Sequence, residues 1–348
     1  ERPPMEAVSV GRATVNLLRD SVFAGSRLVS LEVTFPRFCL AEFNTHRVLS
    51  RNSASSRAIP TWKQLCQVID RPFVPAVFRK NKAGMQAGDP LSDADQEIAR
   101  ETWIKASELA VLQAYHLVGG MPGVLSASKG HDDAHRICLY ISDTLHEKYP
   151  DLSFSMRSVG AAVHKEHASR ILEPFLYDTV IVTGTHWRNF VALRANKAAQ
   201  PEMQDLGVAV AHALRASTPR ALIRGDWHRP YIDPEDLQEV HDPALLNKAS
   251  CGRCARVSFL THDGVRSLEA DIQLATSLLE DGHMSPFEHV AQAGEEKGLN
   301  GNRASPWAQY RKLLEHEDDF SRRISREALI EGLRGDEDLA DFVLNLPD

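Results

Sequence analysis

Residues 46–57 read His-Arg-Val-Leu-Ser-Arg-Asn-Ser-Ala-Ser-Ser-Arg, a stretch without an acidic side chain. From residue 43 to residue 88 the chain has eight Lys or Arg residues and one acid, Asp70, a charge of +7 in a chain of −7. Arginine offers planar forks that match phosphate, and Ser and Asn add short, directional hydrogen bonds. We therefore predict that this segment binds a defined anion. The alternative is a solvated basic loop, because runs of charge usually lie at the surface.

The composition is that of a soluble globular protein, with 43% hydrophobic and 25% charged residues among 348. A chain of this length can bury a large core and form one large domain or two ordinary ones. No apolar run approaches the ~20 residues that span a bilayer. A net charge of −7 argues against general nucleic-acid binding, which needs a broad basic face. These properties favour a small phosphorylated ligand and exclude a nucleic acid or a membrane as the expected partner.

Periodicity and turn signals predict both strands and helices. Residues 27–35 alternate apolar and polar side chains and predict a strand that Pro36 ends. Ser92-x-x-Asp95 is a capping pair for a helix that runs to Val118. The other predicted elements are a loop over 70–90, helices over 131–148, 159–172 and 266–281, strands over 179–183 and 253–260, an irregular segment over 217–250, a turn over 282–289, and a mostly helical, charged stretch over the last 45 residues.

Two helices are predicted after the strand at 179–183. The first begins near Thr185, and its apolar stripe of Trp187, Phe190 and Val191 continues to Arg194. A guanidinium on an inward helix face is costly unless it is paired or faces a ligand. The alternative interpretation is a structural one, an internal ion pair, but residues 179–201 contain no acid to form it locally. The second helix begins at Pro201, and its predicted core face is Met203, Leu206, Val210, Ala213 and Leu214.

Five scattered cysteines, at positions 39, 66, 138, 251 and 254, predict reduced thiols and a cytoplasmic location rather than a disulfide framework. Cys251-x-x-Cys254, with His164-x-Glu166 upstream, loosely resembles a zinc nucleotide deaminase, but Ser250 stands where those enzymes have Pro. A structural zinc ion is coordinated by four ligands, and no second Cys-x-x-Cys is present to complete such a site. We predict no metal site. Two histidine pairs at helical spacing, interpreted as surface or core residues, are His131 with His135 and His164 with His167.

Residues 282–289 read Gly-His-Met-Ser-Pro-Phe-Glu-His and place two histidines, a hydroxyl and a carboxylate around a Pro-Phe turn. A capped turn at a helix end is the alternative interpretation. Neither common glycine-rich phosphate loop occurs, so a dinucleotide would not bind through a Rossmann turn.

Together these segments resemble the flavin-dependent thymidylate synthases. The family pattern R-H-R-x-x-S-x-N-x-x-S-x-R is matched from Thr45 to Arg57 at all positions but the first. The family turn S/T-P-F-E-H matches Ser285–His289. Three further matches are N-F-x-x-L-R at 189–194, A-Q-x-E-M at 199–203 in place of A-Q-x-E-I, and A-R-V-S at 255–258.

The sequence departs from the family in two ways. In compact members the A-R-V-S and S-P-F-E-H segments come first, whereas here they follow the arginine-rich motif, which indicates a circular permutation. Such a permutation is tolerated when the old termini lie close together. Thr45 replaces the leading Arg, and the short loop at 183–186 lacks a usual flavin-contacting Arg. The residues offered as its replacement are His186, Arg188 and Arg311.

The resemblance implies an α+β fold with a mostly antiparallel sheet surrounded by helices, in a single catalytic domain over 1–348. It would carry an insertion at about 70–155 and a charged helical extension at about 304–348. It also implies a homotetramer with active sites between subunits. The implied reaction is reductive methylation of dUMP to dTMP at C5, with methylenetetrahydrofolate as carbon donor and FAD, recharged by NADPH, as hydride source.

The resemblance also assigns roles to residues. Arg194 would be catalytic, stabilising the charge that develops when N3 of the uracil ionises. The dUMP-binding residues would be Ser53, Ala54, Ser55, Ser56, Arg57, Arg170 and Arg194. The FAD-binding residues would be Thr45, His46, Arg47, Ser53, Thr185, Asn189, His283 and Ser285. The open alternatives are an enzyme that installs another C5 group, such as hydroxymethyl, and a non-catalytic nucleotide-binding homologue.

Overall fold

The computed structural model describes residues 6–150, 162–259, 267–294, 298–299, 305–315 and 325–345. Contacts within the chain divide it into two units. The first unit comprises residues 1–18, 29–218 and 256–263, and the second comprises residues 19–28, 219–255 and 264–348. The single catalytic domain stays a prediction.

An antiparallel sheet with strand order β1-β2-β3-β5-β4 forms the base of the first unit. Strand β5 lies between β3 and β4 and pairs with both. The predicted strands at 27–35 and 179–183 are thereby confirmed, as is the mixed helical and antiparallel fold. The bounds are β1 Val8–Val10, β2 Ala13–Phe23, β3 Ser26–Pro36, β4 Ser50–Ser53 and β5 Tyr177–Gly184.

Strands β2 and β3 are joined by the two-residue turn Ala24-Gly25, which lies in the second unit. Both turn residues have positive φ, 47° and 76°. That geometry is typical of a hairpin whose turn matches the twist of its strands. Strands β1 and β2 have no counterpart among the predicted elements.

The helices of the first unit lie mostly where the sequence predicts them. Ser92 caps α3 by accepting a 3.3 Å hydrogen bond from the Asp95 amide. Residues 132–148 are helical throughout, with a π-helical turn at Ile141–Leu145. The helix predicted over 159–172 is a short α-helix followed by a 3₁₀ segment, Arg170–Phe175, and its residues 159–161 lie outside the described residues. The bounds are α1 Leu40–Phe43, α2 Thr61–Asp70, α3 Asp93–Leu117, α4 Gly120–Ser128, α5 Asp132–Tyr140, α6 His146–Lys148, α7 Lys165–Ala168, α8 Trp187–Arg194 and α9 Pro201–Ala216.

The first unit has two apolar cores. One packs α8 and α9 on the sheet, and it includes the predicted α9 residues Met203, Leu206, Val210 and Ala213. The other joins α2 to the helices of the 70–155 insertion and to the 168–176 segment, with Leu65, Leu112, Ile137 and Leu172 fully buried. The insertion therefore shares a core with the segment that carries Arg170.

The second unit contains two β elements. Strand β6 runs parallel to Ser21–Val22 of β2, and a small antiparallel sheet has the order β7-β8-β9. The bounds are β6 Arg220–Ala221, β7 Trp227–His228, β8 Ala291–Ala293, β9 Trp307–Gln309, α10 Pro234–Glu239, α11 Pro243–Arg256, α12 Leu268–Glu280, α13 Arg326–Gly332 and α14 Glu337–Leu344.

Two sequence predictions are wrong in this part of the chain. The strand predicted at 253–260 is instead the end of α11 and a 3₁₀ turn, Val257–Phe259, because α11 is buried on nearly all sides and its apolar residues resemble a buried strand. Residue 260 lies outside the described residues. The irregular segment at 217–250 contains α10 and the start of α11. The C-terminal stretch predicted as mostly helical contains α13 and α14 among its described residues, and β9 in addition places Trp307 fully buried in a sheet.

Among the described residues, no single helix has the length and apolar composition needed to cross a membrane. One bent pair of helices, Asp93–Leu117 with Gly120–Ser128, meets that criterion by length and composition only.

Candidate functional site

The arginine-rich segment forms a loop, strand β4 and a second loop. Arg51, on β4, binds the first loop: its Nη1 donates to the carbonyl oxygens of Asn44 at 3.0 Å and His46 at 2.7 Å. Beyond β4, the Ala54 amide donates to the Thr179 carbonyl at 2.8 Å and extends the pairing with β5. The sheet therefore fixes both ends of β4, and with them the predicted ligand-binding side chains.

The second loop, residues 54–57, contains most of the predicted nucleotide-binding residues. The Ser55 amide donates to the Ser258 carbonyl at 3.0 Å, and Ser55 Oγ accepts from the Ala58 amide at 3.3 Å. Ala54 and Ser56 are buried, whereas the Arg57 side chain is 72% exposed. The loop thus has a fixed backbone and presents one exposed guanidinium.

Arg57 and Arg170 converge although 112 residues separate them in the sequence. Glu166 Oε2 lies 3.6 Å from Nε of Arg57, and the Glu166 carbonyl accepts from Nε of Arg170 at 3.4 Å. Glu173 Oε1 accepts from Nη1 of Arg170 at 2.9 Å and from the Ser56 hydroxyl at 2.5 Å. The structure therefore brings the exposed guanidiniums of Arg57 and Arg170 to one polar surface, and the buried Ser56 hydroxyl shares Glu173 with Arg170.

Arg37 and Asp178 belong to the same network and were not predicted from the sequence. Nη1 of Arg37 donates to Asp178 Oδ1 at 3.0 Å and to the Ala54 carbonyl at 3.1 Å, and its Nε lies 3.4 Å from Glu173 Oε1. The Asp178 side chain is fully buried, and its second oxygen has no hydrogen-bond partner among the described residues. Burial raises the pKa of Asp178 to about 7, although Arg37 opposes the shift. The pattern F-P-R at the end of a predicted strand is too common to have identified Arg37.

Arg194 lies on the inward side of α8, as predicted, and its side chain is 15% exposed. Its guanidinium forms an ion pair with Glu42 and donates to Thr45 Oγ1 at 3.0 Å. The internal ion pair, which the sequence left open, is therefore the arrangement that forms. No acid lies near Arg194 in the sequence, and α1 brings Glu42 from 152 residues upstream.

His46 is buried beside Arg194 and packs against Phe190, with ring centroids 4.8 Å apart. Its Nε2 accepts a 2.7 Å hydrogen bond from Nε of Arg194. Burial, with the charges of Arg194 and Arg51, lowers the pKa of His46 to about 4. The ring is therefore neutral at pH 7 and carries its proton on Nδ1.

The six predicted flavin-binding residues of the first unit differ in exposure: Thr45, Arg47 and Asn189 are exposed, Ser53 and Thr185 are half-buried, and His46 is buried. Thr45 and Arg47 lie on the loop before β4, Asn189 lies on the first turns of α8, and Thr185 Oγ1 lies 3.1 Å from Nδ1 of His186. Within the described ranges, Arg47 has no ion pair or side-chain hydrogen bond. Arg188, exposed on α8, has none there either. Uncompensated guanidiniums beside polar side chains fit the anionic pyrophosphate of FAD.

The remaining flavin candidates, His283 and Ser285, are exposed and lie in the second unit. Both lie within the turn predicted over 282–289, which is confirmed as a 3₁₀ turn at Ser285–Glu288. Its Glu288 forms an ion pair with Arg311 at 2.8 Å. Of the three proposed replacements for the missing arginine, Arg311 is therefore engaged by a carboxylate and Arg188 is not.

The cysteine and histidine patterns have structural roles. Cys251 and Cys254 lie fully buried on α11, and burial raises the pKa of both thiols. Nδ1 of His131 and Nδ1 of His164 accept from backbone amides at the starts of α5 and α7. In the part of the chain that the structure describes, no group of three or more His, Cys, Asp or Glu residues is arranged to hold a metal ion.

The sequence profile of the family Thy1, described as thymidylate synthase complementing protein, matches residues 20–220. The chain belongs to this family. The match covers the arginine-rich motif, Arg170 and α8, and it confirms the resemblance stated above. Membership of the Thy1 family supports an enzyme that modifies a pyrimidine nucleotide at C5.

Among curated proteins, none matches the chain significantly. One solved structure that matches is titled as a UMP/dUMP methylase PolB from Streptomyces cacaoi bound with 5-Br UMP. It is 13% identical, and the alignment covers 60% of this chain and 91% of that chain with a TM-score of 0.38. These values are too low to support an inference about the function of this Thy1 member.

Proposed function

We propose that the protein is a flavin-dependent thymidylate synthase that methylates dUMP to dTMP. The observation that carries the proposal is the convergence of the Arg57 and Arg170 guanidiniums on one polar surface, with the Ser56 hydroxyl sharing Glu173 with Arg170, in a chain of the Thy1 family. Two exposed guanidiniums and a nearby hydroxyl suit the phosphate of a nucleotide monophosphate.

The chain's own residues would bind and polarise the substrate. Arg57 and Arg170 would hold the phosphate, with Ser53 and Ser55 beside it. Arg194 is held in place by Glu42, Thr45 and His46, and a cation fixed before the reaction stabilises a developing anion better than water does. It would lie against the uracil edge and favour ionisation of N3, which makes C5 nucleophilic.

The residues that would hold FAD in the first unit are Thr45, His46, Arg47, Ser53, Thr185 and Asn189. Arg188 would replace the missing arginine, and His283 and Ser285 are the candidates in the second unit. When bound, FAD recharged by NADPH supplies the hydride, and methylenetetrahydrofolate supplies the carbon. No cysteine nucleophile is required, which agrees with five free cysteines, four of them buried. The homotetramer with active sites between subunits, the permuted order of the motifs and the cytoplasmic location remain proposals of the resemblance.

The decisive experiment combines a flavin spectrum with tritium release from C5-labelled dUMP. The purified protein should be yellow or should take up FAD, and it should release tritium only when folate and NADPH are both present. A protein that does not bind FAD would contradict the proposal.

The ion pair between Arg194 and Glu42 favours a second candidate, a non-catalytic nucleotide-binding homologue, because it neutralises the cation that the reaction needs. Binding of dUMP without tritium release would support that candidate. A C5 product heavier than dTMP would instead identify a related enzyme that installs another group, such as hydroxymethyl.

A further inference from the structure

Arg37 is rigidly held beneath the loop at 54–57. It follows the last residue of β3, and its amide donates to the Leu176 carbonyl at 2.9 Å. Its side chain is only 13% exposed, and its guanidinium contacts three acceptors: the Ala54 carbonyl, Asp178 and Glu173. A side chain this buried, with Nη1 and Nε already directed at protein acceptors, acts on a ligand through its partners rather than by contact.

Glu173 connects Arg37 to the ligand-facing groups. A single carboxylate oxygen, Oε1, is shared by Arg37, Arg170 and the Ser56 hydroxyl. Ser56 and Arg170 donate charge-assisted hydrogen bonds to Glu173, which are about twice as strong as neutral ones, and Arg37 adds an ion pair at 3.4 Å. Displacement of Glu173 would therefore shift both Ser56 and Arg170.

The charges of this network depend on Arg37. Without its guanidinium, Glu173 would keep Arg170 as a cationic partner but lose Arg37, and buried Asp178 would favour its neutral acid form, so Glu173 is the carboxylate left less compensated. A dianionic phosphate at Arg57 and Arg170 would then meet repulsion as well as a less ordered loop. Groups that bind anions work best when their geometry is fixed in advance by supporting hydrogen bonds.

We propose that Arg37 is a positioning residue for the nucleotide phosphate: it holds the backbone at Ala54 directly, and it holds Ser56 and Arg170 through Glu173. The inference rests on the proposed function only in naming the ligand as a nucleotide monophosphate. Its structural content, that the loop at 54–57 depends on Arg37, is independent of the ligand.

The test uses the flavin-loaded, full-length protein with Arg37→Met, which keeps the length and bulk of the side chain and removes its donors. The Kd of dUMP should rise roughly tenfold or more, the loss expected from one charge-assisted hydrogen bond. The Kd of deoxyuridine, which lacks the phosphate, should change less than about threefold. Amide exchange across residues 53–59 should accelerate in the nucleotide-free protein, a change that loss of a direct phosphate contact would not produce.

Arg136→Met is the matched control, because Arg136 also pairs with a carboxylate, Asp70, at 2.7 Å in the same unit but on α5. It should leave both binding and loop exchange unchanged. If Arg37→Met shows the Kd of dUMP and the loop exchange of the wild type, the proposal is overturned.

Two further outcomes are distinguishable. If the wild type does not bind dUMP but Arg37→Met still accelerates exchange at 53–59, Arg37 positions the loop and the proposed function fails. If Arg37→Met does not fold, Glu173→Gln replaces it, and its Kd for dUMP should rise about threefold to tenfold. Unchanged dUMP binding and loop exchange in Glu173→Gln would reject the role of Glu173 as the link.

Discussion

Nε of Arg194 donates a 2.7 Å hydrogen bond to Nε2 of His46, a ring that must be neutral to accept it. The pKa of His46, lowered to about 4 by burial and by two neighbouring guanidiniums, keeps it neutral at pH 7. The bond therefore fixes the orientation of Arg194 without reducing its charge. Glu42, on the other side of the guanidinium, fixes it as well but opposes its charge.

Arg194→Ala should abolish turnover while leaving bound flavin largely intact. Loss of one preorganised group that stabilises transition-state charge lowers kcat by about 10²–10³-fold or more. Tritium release from C5-labelled dUMP measures the loss, and the flavin absorbance of the same sample measures cofactor retention. Arg215→Ala, an exposed arginine on α9, is the control and should behave as the wild type. Near-normal turnover in Arg194→Ala would remove Arg194 from the catalytic role.

Glu42→Gln should strengthen binding of dUMP or raise turnover. Glutamine retains an oxygen that can accept from Arg194, but it removes the negative charge that lies against the guanidinium. A less compensated Arg194 would favour N3 ionisation more strongly, and we expect a threefold to tenfold increase in kcat/KM, about 0.7–1.4 kcal/mol. Steady-state kinetics with dUMP measure it. A fall in kcat/KM would show that Glu42 supports the reaction instead of opposing it.

The sequence predicted β3, β5, α3 and α9 because each has a clear local signal: alternation ended by Pro36, a β-branched run, a capping pair, and Pro201 at a helix start. It failed where tertiary burial decides the structure. The run after Cys254 resembles a strand, but α11 continues to Arg256 in a crowded environment, where a Cβ on Gly252 would meet the Asp271 carbonyl at 2.1 Å. The starts of α10 and α11 did carry a usable signal, Asp followed by Pro at 233–234 and 242–243.

Only those residues of the candidate site that the family resemblance assigns could be predicted from the sequence. Ser56, Arg57 and Arg170 were named because the family resemblance assigns them to the nucleotide, although only Arg57 is a fixed position of the quoted motif, and the structure brings the three together. Glu42, Arg37, Glu173 and Asp178 were missed, since their roles come from contacts between segments more than 100 residues apart. Sequence spacing cannot reveal such partners without the register of the sheet.

Arg188→Ala should weaken FAD binding more than Arg311→Ala does. Arg188 is exposed and has no carboxylate partner in the described residues, whereas Arg311 is held by Glu288. Loss of a charge-assisted contact to the pyrophosphate corresponds to about 1.5–3 kcal/mol, or a rise of roughly tenfold to a hundredfold in the Kd of FAD. Titration of the apoprotein with FAD, followed by flavin fluorescence, measures both variants. The reverse ranking would assign the missing contact to Arg311.

The free energy of unfolding of Asp178→Asn should increase, relative to that of the wild type, as the pH rises. The pKa of Asp178 is raised from 3.8 to about 7, so the folded state favours the protonated acid. Protonation of the Asp178 carboxyl therefore stabilises the fold. This stabilisation is fully present below pH 3.8 and is lost as the pH rises through 7. The difference in unfolding free energy between variant and wild type should shift towards the variant by at least ~1.4 kcal/mol, the value of one pKa unit, between pH 5 and pH 8. Urea unfolding at both values measures it, and Asp143→Asn, an exposed acid, should show no such shift.

Arg253→Met should destabilise the protein severely. Arg253 is buried on α11 and donates to Asp271 at 2.8 Å, to Asp236 and to the Tyr231 carbonyl. Its removal leaves two carboxylates in poorly solvated positions, and breaking a buried ion pair costs about 3–5 kcal/mol. Arg326→Met is the control, because Arg326 and its partner Asp341 are both exposed and exposed ion pairs contribute little to stability. Similar small losses in both variants, measured by urea unfolding, would mean that water reaches the Arg253 network and that burial does not set its strength.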